Sequence, residues 1–97
     1  MASKDDRHSI PSYPRVYLTI ARQNLNLTAE EVSRRLEVSK VYYYNLETGY
    51  RGHKMTATMI ARIMECLDLD ADYIIKEELR YQTERAAFIK SKRKKYK

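Results

Sequence analysis

Three aspartates at alternate positions, Asp68, Asp70 and Asp72, are the residues whose type and spacing come closest to a metal site. A calcium-binding loop also needs a glycine at its sharp turn and a glutamate at its end, and these aspartates lack both. Asp70 instead precedes an apolar stretch, where it is suited to cap a helix. We therefore predict no metal site here.

The histidines and the cysteine do not form a catalytic or zinc-binding set. His8, His53 and Cys66 are scattered along the chain and too few for a clustered zinc site. With only two glycines, the chain has no glycine-rich phosphate loop, and no Ser/His/Asp set is indicated. We expect no enzyme and no cofactor. A single cysteine also excludes an internal disulfide, so a reducing cytoplasm is the expected location.

The charge is distributed unevenly along the chain. Nineteen basic and 13 acidic residues give a net charge of +6. By segment, the net charge is zero over residues 1–14, +3 over 15–55, −4 over 56–78 and +7 over 79–97. This polarity favours a polyanionic partner, although lysine-rich tails also serve only to solubilise a terminus. No apolar run approaches the ~20 residues of a membrane span, and no secretory signal is evident, so we expect no membrane contact.

A length of 97 residues suits one small domain, and the positions of its prolines and glycines predict helices. Both prolines, Pro11 and Pro14, lie at the N-terminal edge, and both glycines, Gly49 and Gly52, lie mid-chain, so the stretches between them contain no breaker. The predicted helices are about 14–24, 28–36, 39–48, 56–67, and one from residue 70 past Phe88. We divide the chain into a flexible arm (1–13), a helical domain (14–78), and a helix extension with a basic tail (79–97).

Two short helices joined by a brief turn are the most informative local pattern. Thr28-Ala-Glu-Glu31 has the form of a capping box, Ser39 is a second N-cap candidate, and Gly49 can end the second helix. A pair of helices with such a turn packs at a steep angle and projects its second helix outward. The residues that can form the small core beneath it are Val32, Leu36, Val38, Tyr43 and Leu46.

The stretch 27–49, LTAEEVSRRLEVSKVYYYNLETG, resembles the helix-turn-helix of lambda-repressor-like (Cro/CI, XRE-type) regulators. The matching residues are Thr28, Glu31, Val32, Leu36, Val38, Ser39, Leu46, Glu47 and Gly49. The likeness continues less specifically to about residue 75 and implies an all-α fold of five helices, here with an extended C-terminal helix.

Glu37 replaces a common turn glycine, Ser33 replaces an alanine, and Tyr43 replaces a buried aliphatic residue. We expect slight strain at the turn and a repacked core around the Tyr43 hydroxyl.

The resemblance implies a sequence-specific double-stranded DNA-binding transcriptional regulator. It would be a Cro-like or small repressor of phage or mobile-element type, with residues 39–48 as recognition helix in the major groove and a homodimer on an inverted repeat. The implied base-contacting residues are Lys40, Val41, Tyr42, Tyr44 and Asn45. The predicted phosphate-contacting residues are Thr28, Ala29, Ser39, Arg51 and Lys54. Such a protein would be cytoplasmic and nucleoid-associated.

Two alternatives stay open. The same domain can serve an antitoxin or adaptor that binds a partner protein, or it can be a pure protein-interaction module. The C-terminal helix either packs back on its own domain or pairs with a second copy, and we take pairing as the hypothesis because of a heptad-like spacing. That spacing joins Ile75, Leu79, Gln82, Ala86 and Ile89. The basic tail can add salt-sensitive affinity for DNA.

Overall fold

Five α-helices make up the part of the chain that the computed structural model describes, residues 12–50 and 54–95 with side chains to Lys92. They are α1 (Val16–Asn24), α2 (Ala29–Leu36), α3 (Lys40–Thr48), α4 (Ala57–Leu67) and α5 (Ala71–Lys95), and these ranges contain no strand. The all-α expectation is confirmed. The expected arm lies almost wholly outside the described residues. The boundary after residue 78 stays a prediction, and α5 runs through it without interruption.

Side-chain caps fix where three of the helices begin. Thr28 Oγ1 accepts the Glu31 N–H at 3.0 Å, and Glu31 Oε1 accepts the Thr28 N–H at 2.8 Å, which forms the predicted capping box. Ser39 Oγ accepts the Tyr42 N–H at 3.0 Å at the start of α3. Thr56 caps α4 in the same way. Each hydroxyl supplies a partner to an amide that the helix leaves without one.

The turn between α2 and α3 contains the predicted local strain. Glu37 adopts a left-handed conformation with φ 58°, which costs a residue with a Cβ about 1 kcal/mol. Its N–H and that of Val38 donate to carbonyls in the last turn of α2, at Arg34 and Ser33. The backbone bonds of this turn hold α3 at its angle to α2.

The core lies where α2, α3 and α4 meet, and α1 and α5 close it. The fully buried apolar residues come from all five helices and are Leu18, Val32, Tyr43, Leu46, Ile63 and Ile74. Val38 and Cys66 lie at its edge and are only partly buried.

Helix α5 is long and packs on its own domain along one face. Its 25 residues correspond to roughly 37 Å, close to the 43 Å longest dimension of the molecule. Ile74 and Tyr81 are buried against the domain, and the Tyr13 ring lies 5.8 Å from the Tyr81 ring and 5.1 Å from the Phe88 ring. No helix among the described residues is long and apolar enough to cross a membrane.

Gly49 generates a prediction about stability. It ends α3 with φ 67°, and a Cβ there would collide with the Tyr13 carbonyl and lie 2.7 Å from the Tyr81 hydroxyl. We expect Gly49→Ala to lower the free energy of unfolding by about 2–4 kcal/mol, measured by urea denaturation. Glu37→Gly, at another left-handed helix end, should change it by no more than about 1 kcal/mol. Equal effects at the two positions would contradict the role of the Tyr13 contact.

Candidate nucleic-acid interface

Helix α3 presents one face to the core and the other outward. Tyr43, Leu46 and Glu47 are buried. On the outward side, Val41 is 68% exposed and Tyr44 is 55% exposed. Of the other predicted base-contacting residues, Lys40 is exposed, whereas Tyr42 and Asn45 are half-buried.

The three consecutive tyrosines occupy three different environments, as their helical spacing of about 100° requires. Tyr43 is fully buried, Tyr42 packs at the edge of the core, and Tyr44 projects outward. Tyr44 is therefore the tyrosine that is most open to a ligand lying along the outer face of α3.

The buried Tyr43 hydroxyl has a hydrogen-bonding partner, as the repacked core expected around it requires. It donates to Glu47 Oε2 at 2.7 Å, and Arg22 donates to both oxygens of the same carboxylate at 2.8 and 2.9 Å. Burial alone would raise the pKa of Glu47, but the hydrogen bonds from Arg22 and Tyr43 outweigh it and leave the pKa below its ordinary value. Burial and the bond to Glu47 raise the pKa of Tyr43. Glu47, which matches the motif, therefore has a structural role, because its carboxylate binds Arg22 and Tyr43 on the buried side of α3.

A buried arginine ties the end of α3 to α5. Arg15 is fully buried, its N–H donates to the Glu47 carbonyl, and its Nη1 donates to the Leu46 carbonyl, both at 2.8 Å. Its Nε and Nη2 donate to the two oxygens of Glu78 on α5, each at 2.9 Å. Tyr17 also donates to Glu78, at 2.5 Å. The position of the outward face of α3 therefore depends on a residue that precedes α1.

The predicted phosphate-contacting residues lie at two helix starts and in one loop. Thr28, Ser39 and Lys54 are exposed and Ala29 is half-buried, whereas Arg51 lies outside the described residues. The first turn of α2 carries two glutamates, and the first turn of α3 carries no acidic residue. A helix N-terminus attracts anions and nearby carboxylates oppose this, so the start of α3 is the better placed of the two for a phosphate.

Comparison with known families agrees with this geometry. The family described as Helix-turn-helix domain matches residues 17–80, which is more than half of the chain. The chain belongs to the helix-turn-helix domain family. The domain is of the XRE, lambda-repressor-like type, and α2 and α3 form its helix-turn-helix. This family is typically non-enzymatic, and its domain points to a DNA-binding regulator. No curated protein and no solved structure matches the chain.

Sequence reasoning placed the helix-turn-helix but missed the ion pairs that support it. Arg15 and Glu78 are 63 residues apart, and Arg22 and Glu47 are 25 apart. A single sequence does not show which distant residue a charged side chain pairs with. A weak signal was present for Glu78, because it lies four residues after Ile74 on the buried face of α5.

We predict that Glu78→Gln destabilises the helix-turn-helix domain strongly. Glu78 is buried, and its loss leaves the Arg15 guanidinium charged without a counter-ion, which costs about 3–5 kcal/mol. Urea denaturation at neutral pH measures this. Glu77→Gln is the matched control, because its contact with the exposed Arg80 is 3.7 Å long, and we expect a change below about 1 kcal/mol. Similar losses in the two variants would contradict the importance of the buried pair.

The same contacts predict how stability depends on pH. Burial raises the pKa of Glu78, but hydrogen bonds from Arg15 and Tyr17 and the guanidinium charge outweigh it, so the folded pKa lies below the model-peptide value of 4.5. The resulting stabilisation is therefore present above pH 4.5 and is lost as the pH falls through the lower folded pKa. Urea denaturation along an acid series should show this loss in the wild type. Glu78→Gln should reduce the slope, with the remainder due to other carboxylates such as Glu47, and an unchanged slope would contradict the assignment.

Proposed function

We propose that this chain is a sequence-specific, double-stranded DNA-binding transcriptional regulator. It would be a Cro-like or small repressor of phage or mobile-element type, with α3 in the major groove, and would act in the cytoplasm on the nucleoid. The observation that supports this proposal most is the outer face of α3. The start of α3 is capped by Ser39, and its opposite face is buried in the core. The outer face carries side chains that can contact base edges.

The side chains on that face match the chemistry of the major groove. Lys40 can donate to guanine O6 and N7, and Asn45 can pair with adenine N6 and N7. Val41 and the Tyr42 and Tyr44 rings can contact thymine methyl groups, and a tyrosine hydroxyl can also reach a phosphate. Asn45 is half-buried at the edge of this face.

Phosphate contacts would fix the register of α3 in the groove. The candidates are Thr28, Ala29, Ser39, Arg51 and Lys54. The hydroxyls of Thr28 and Ser39 already accept backbone amides, so we assign their role to the helix N-termini that they begin. Lys54 is exposed just before α4 and would act by charge.

A homodimer on an inverted repeat completes the proposal. One helix-turn-helix reads a short half-site, and two copies related by a two-fold axis read two half-sites about one helical turn apart. Selection from a randomised duplex pool at two salt concentrations tests this. We expect enrichment of an inverted repeat with half-sites about 10 bp apart. Salt-sensitive binding without an enriched motif would contradict it and favour a protein partner.

We predict that Tyr44→Ala weakens binding to the selected duplex by about 1–3 kcal/mol, or roughly 5- to 150-fold. Tyr44 is 55% exposed, so its removal should leave folding intact. Tyr73→Ala on α5 is the matched control, because that tyrosine is 42% exposed and lines a groove between α1 and α5. Fluorescence anisotropy gives both affinities. Equal affinities for the two variants would exclude the outer face of α3 as the contact surface.

We further predict that Asn45→Ala and Lys54→Ala change DNA binding in different ways. Asn45→Ala should relax the preference at one base pair of each half-site, because it removes a directional contact. Lys54→Ala should weaken binding to all duplexes alike and reduce the log–log salt slope by about 1. Repeating the selection and the salt titration with each variant distinguishes these outcomes. A uniform loss for Asn45→Ala would remove it from the base-reading set.

A further inference from the structure

Helix α5 has a partly uncovered, mostly apolar seam beside the face that packs on its own domain. We define the seam by its residues, Ile75, Leu79, Gln82, Ala86 and Ile89. Ile75 is 49% exposed and Leu79 is 64% exposed, although both are large and apolar. The adjacent face, which contains Ile74, Glu78 and Tyr81, is buried. Ala86 is exposed as well, whereas Gln82 and Ile89 are half-buried and Gln82 donates to Glu78. The domain therefore covers one side of α5 and leaves Ile75, Leu79 and Ala86 of the seam open.

The charges along this part of the chain indicate what can cover the seam. Within the part of α5 whose side chains the structure describes, residues 71–78 carry −2 and residues 79–92 carry +3. If two copies of α5 ran parallel, the two basic segments would lie side by side and repel each other. If they ran antiparallel, each basic segment would lie beside the acidic segment of the other copy. Two copies of α5 are therefore complementary in charge only when they run antiparallel.

We propose that two copies of this chain pair through the seam as an antiparallel α5–α5 homodimer. This inference rests on the proposed homodimer and names its surface and direction. Antiparallel helices pair the two kinds of core position with each other, and of the registers that this allows we take the one that brings together the exposed Ile75 and Ala86. Ile75 then lies opposite Ala86 of the second copy, and Leu79 lies opposite Gln82 of the second copy. The two-fold axis passes between positions 80 and 81.

A second apolar groove fits self-pairing less well. It lies between α1 and α5, with Val16 at 56%, Ile20 at 49% and Tyr73 at 42% exposure. Glu77 and Glu84 line the same groove with one arginine, Arg80, beside them. Two such grooves facing each other would bring carboxylates together, whereas the seam brings opposite charges together.

Site-specific cross-linking of the full chain tests the direction of pairing. In a Cys66→Ser background, Ile75→Cys and Ala86→Cys are prepared separately and then mixed, and a short thiol cross-linker is added with and without the selected duplex. Both positions are exposed, so neither change should disturb folding. Like positions lie about 16 Å apart along the axis in the antiparallel arrangement, because 11 residues separate 75 from 86. The expected result is a cross-link in the mixture and none in either variant alone.

The other cross-linking outcomes overturn the proposal. Cross-linking of each variant to itself would show a parallel pair. Absence of any cross-link in a chain that sediments as a dimer would show that another surface is used. A chain that stays monomeric both free and on the selected duplex would remove the pair altogether. Sequence-specific DNA binding is measured separately, so a failed cross-link with intact specific binding leaves the proposed recognition by α3 standing.

A second pair of variants tests the surface without cross-linker. Leu79→Lys places a charge in the seam and should weaken self-association, measured by sedimentation equilibrium, by roughly tenfold or more. Ile20→Lys is the control, because it replaces an exposed apolar residue in the α1–α5 groove and should leave self-association unchanged. Circular dichroism confirms that both variants are folded. Loss of the dimer in Ile20→Lys and its retention in Leu79→Lys would overturn the proposal.

Discussion

The buried guanidinium of Arg15 is the contact on which the arrangement of this domain depends. It joins the Leu46 carbonyl of α3 to a carboxylate on α5, from a position just before α1, while the Arg15 backbone N–H donates to the Glu47 carbonyl. Three elements that are distant in sequence thus meet at one side chain. The Tyr81 ring lies under the guanidinium, with its centroid 4.4 Å away, and excludes water from one side of it.

Burial of this ion pair is better understood as a positional constraint than as a source of net stability. Removing two charges from water costs several kcal/mol, and only good geometry with further hydrogen bonds recovers that cost. Here Tyr17 and Gln82 donate to the same carboxylate that Arg15 binds. An apolar pair of similar volume would permit small slips of α5 along the domain. The directional bonds of Arg15 allow one register, which fixes α5 relative to the end of α3.

The parts of the fold that could be predicted from sequence are those that depend on near neighbours. Thr28 and Ser39 cap helices through residues three positions away, and Gly49 ends α3 through its own backbone conformation. Helical periodicity requires that Tyr42, Tyr43 and Tyr44 face different environments, but which of them points outward depends on packing. The Arg15–Glu78 contact was not predictable in this way, because it depends on where α5 lies. Glu47 was identified as a residue that matches the motif, but its partner Arg22 was not.

Helix α5 shows why periodicity alone does not assign faces. A stripe through Ile74 and Tyr81 and a stripe through Ile75 and Leu79 are both apolar at helical spacing, and the first contains a glutamate that makes it look solvent-facing. The structure buries that stripe because Arg15 neutralises Glu78 inside it. Glu78 and Leu79 are consecutive, so a second copy seated at Leu79 would adjoin the residue that holds the end of α3. The distance between two recognition helices would then be set through Arg15, and a rigid, buried contact suits that role better than a flexible one.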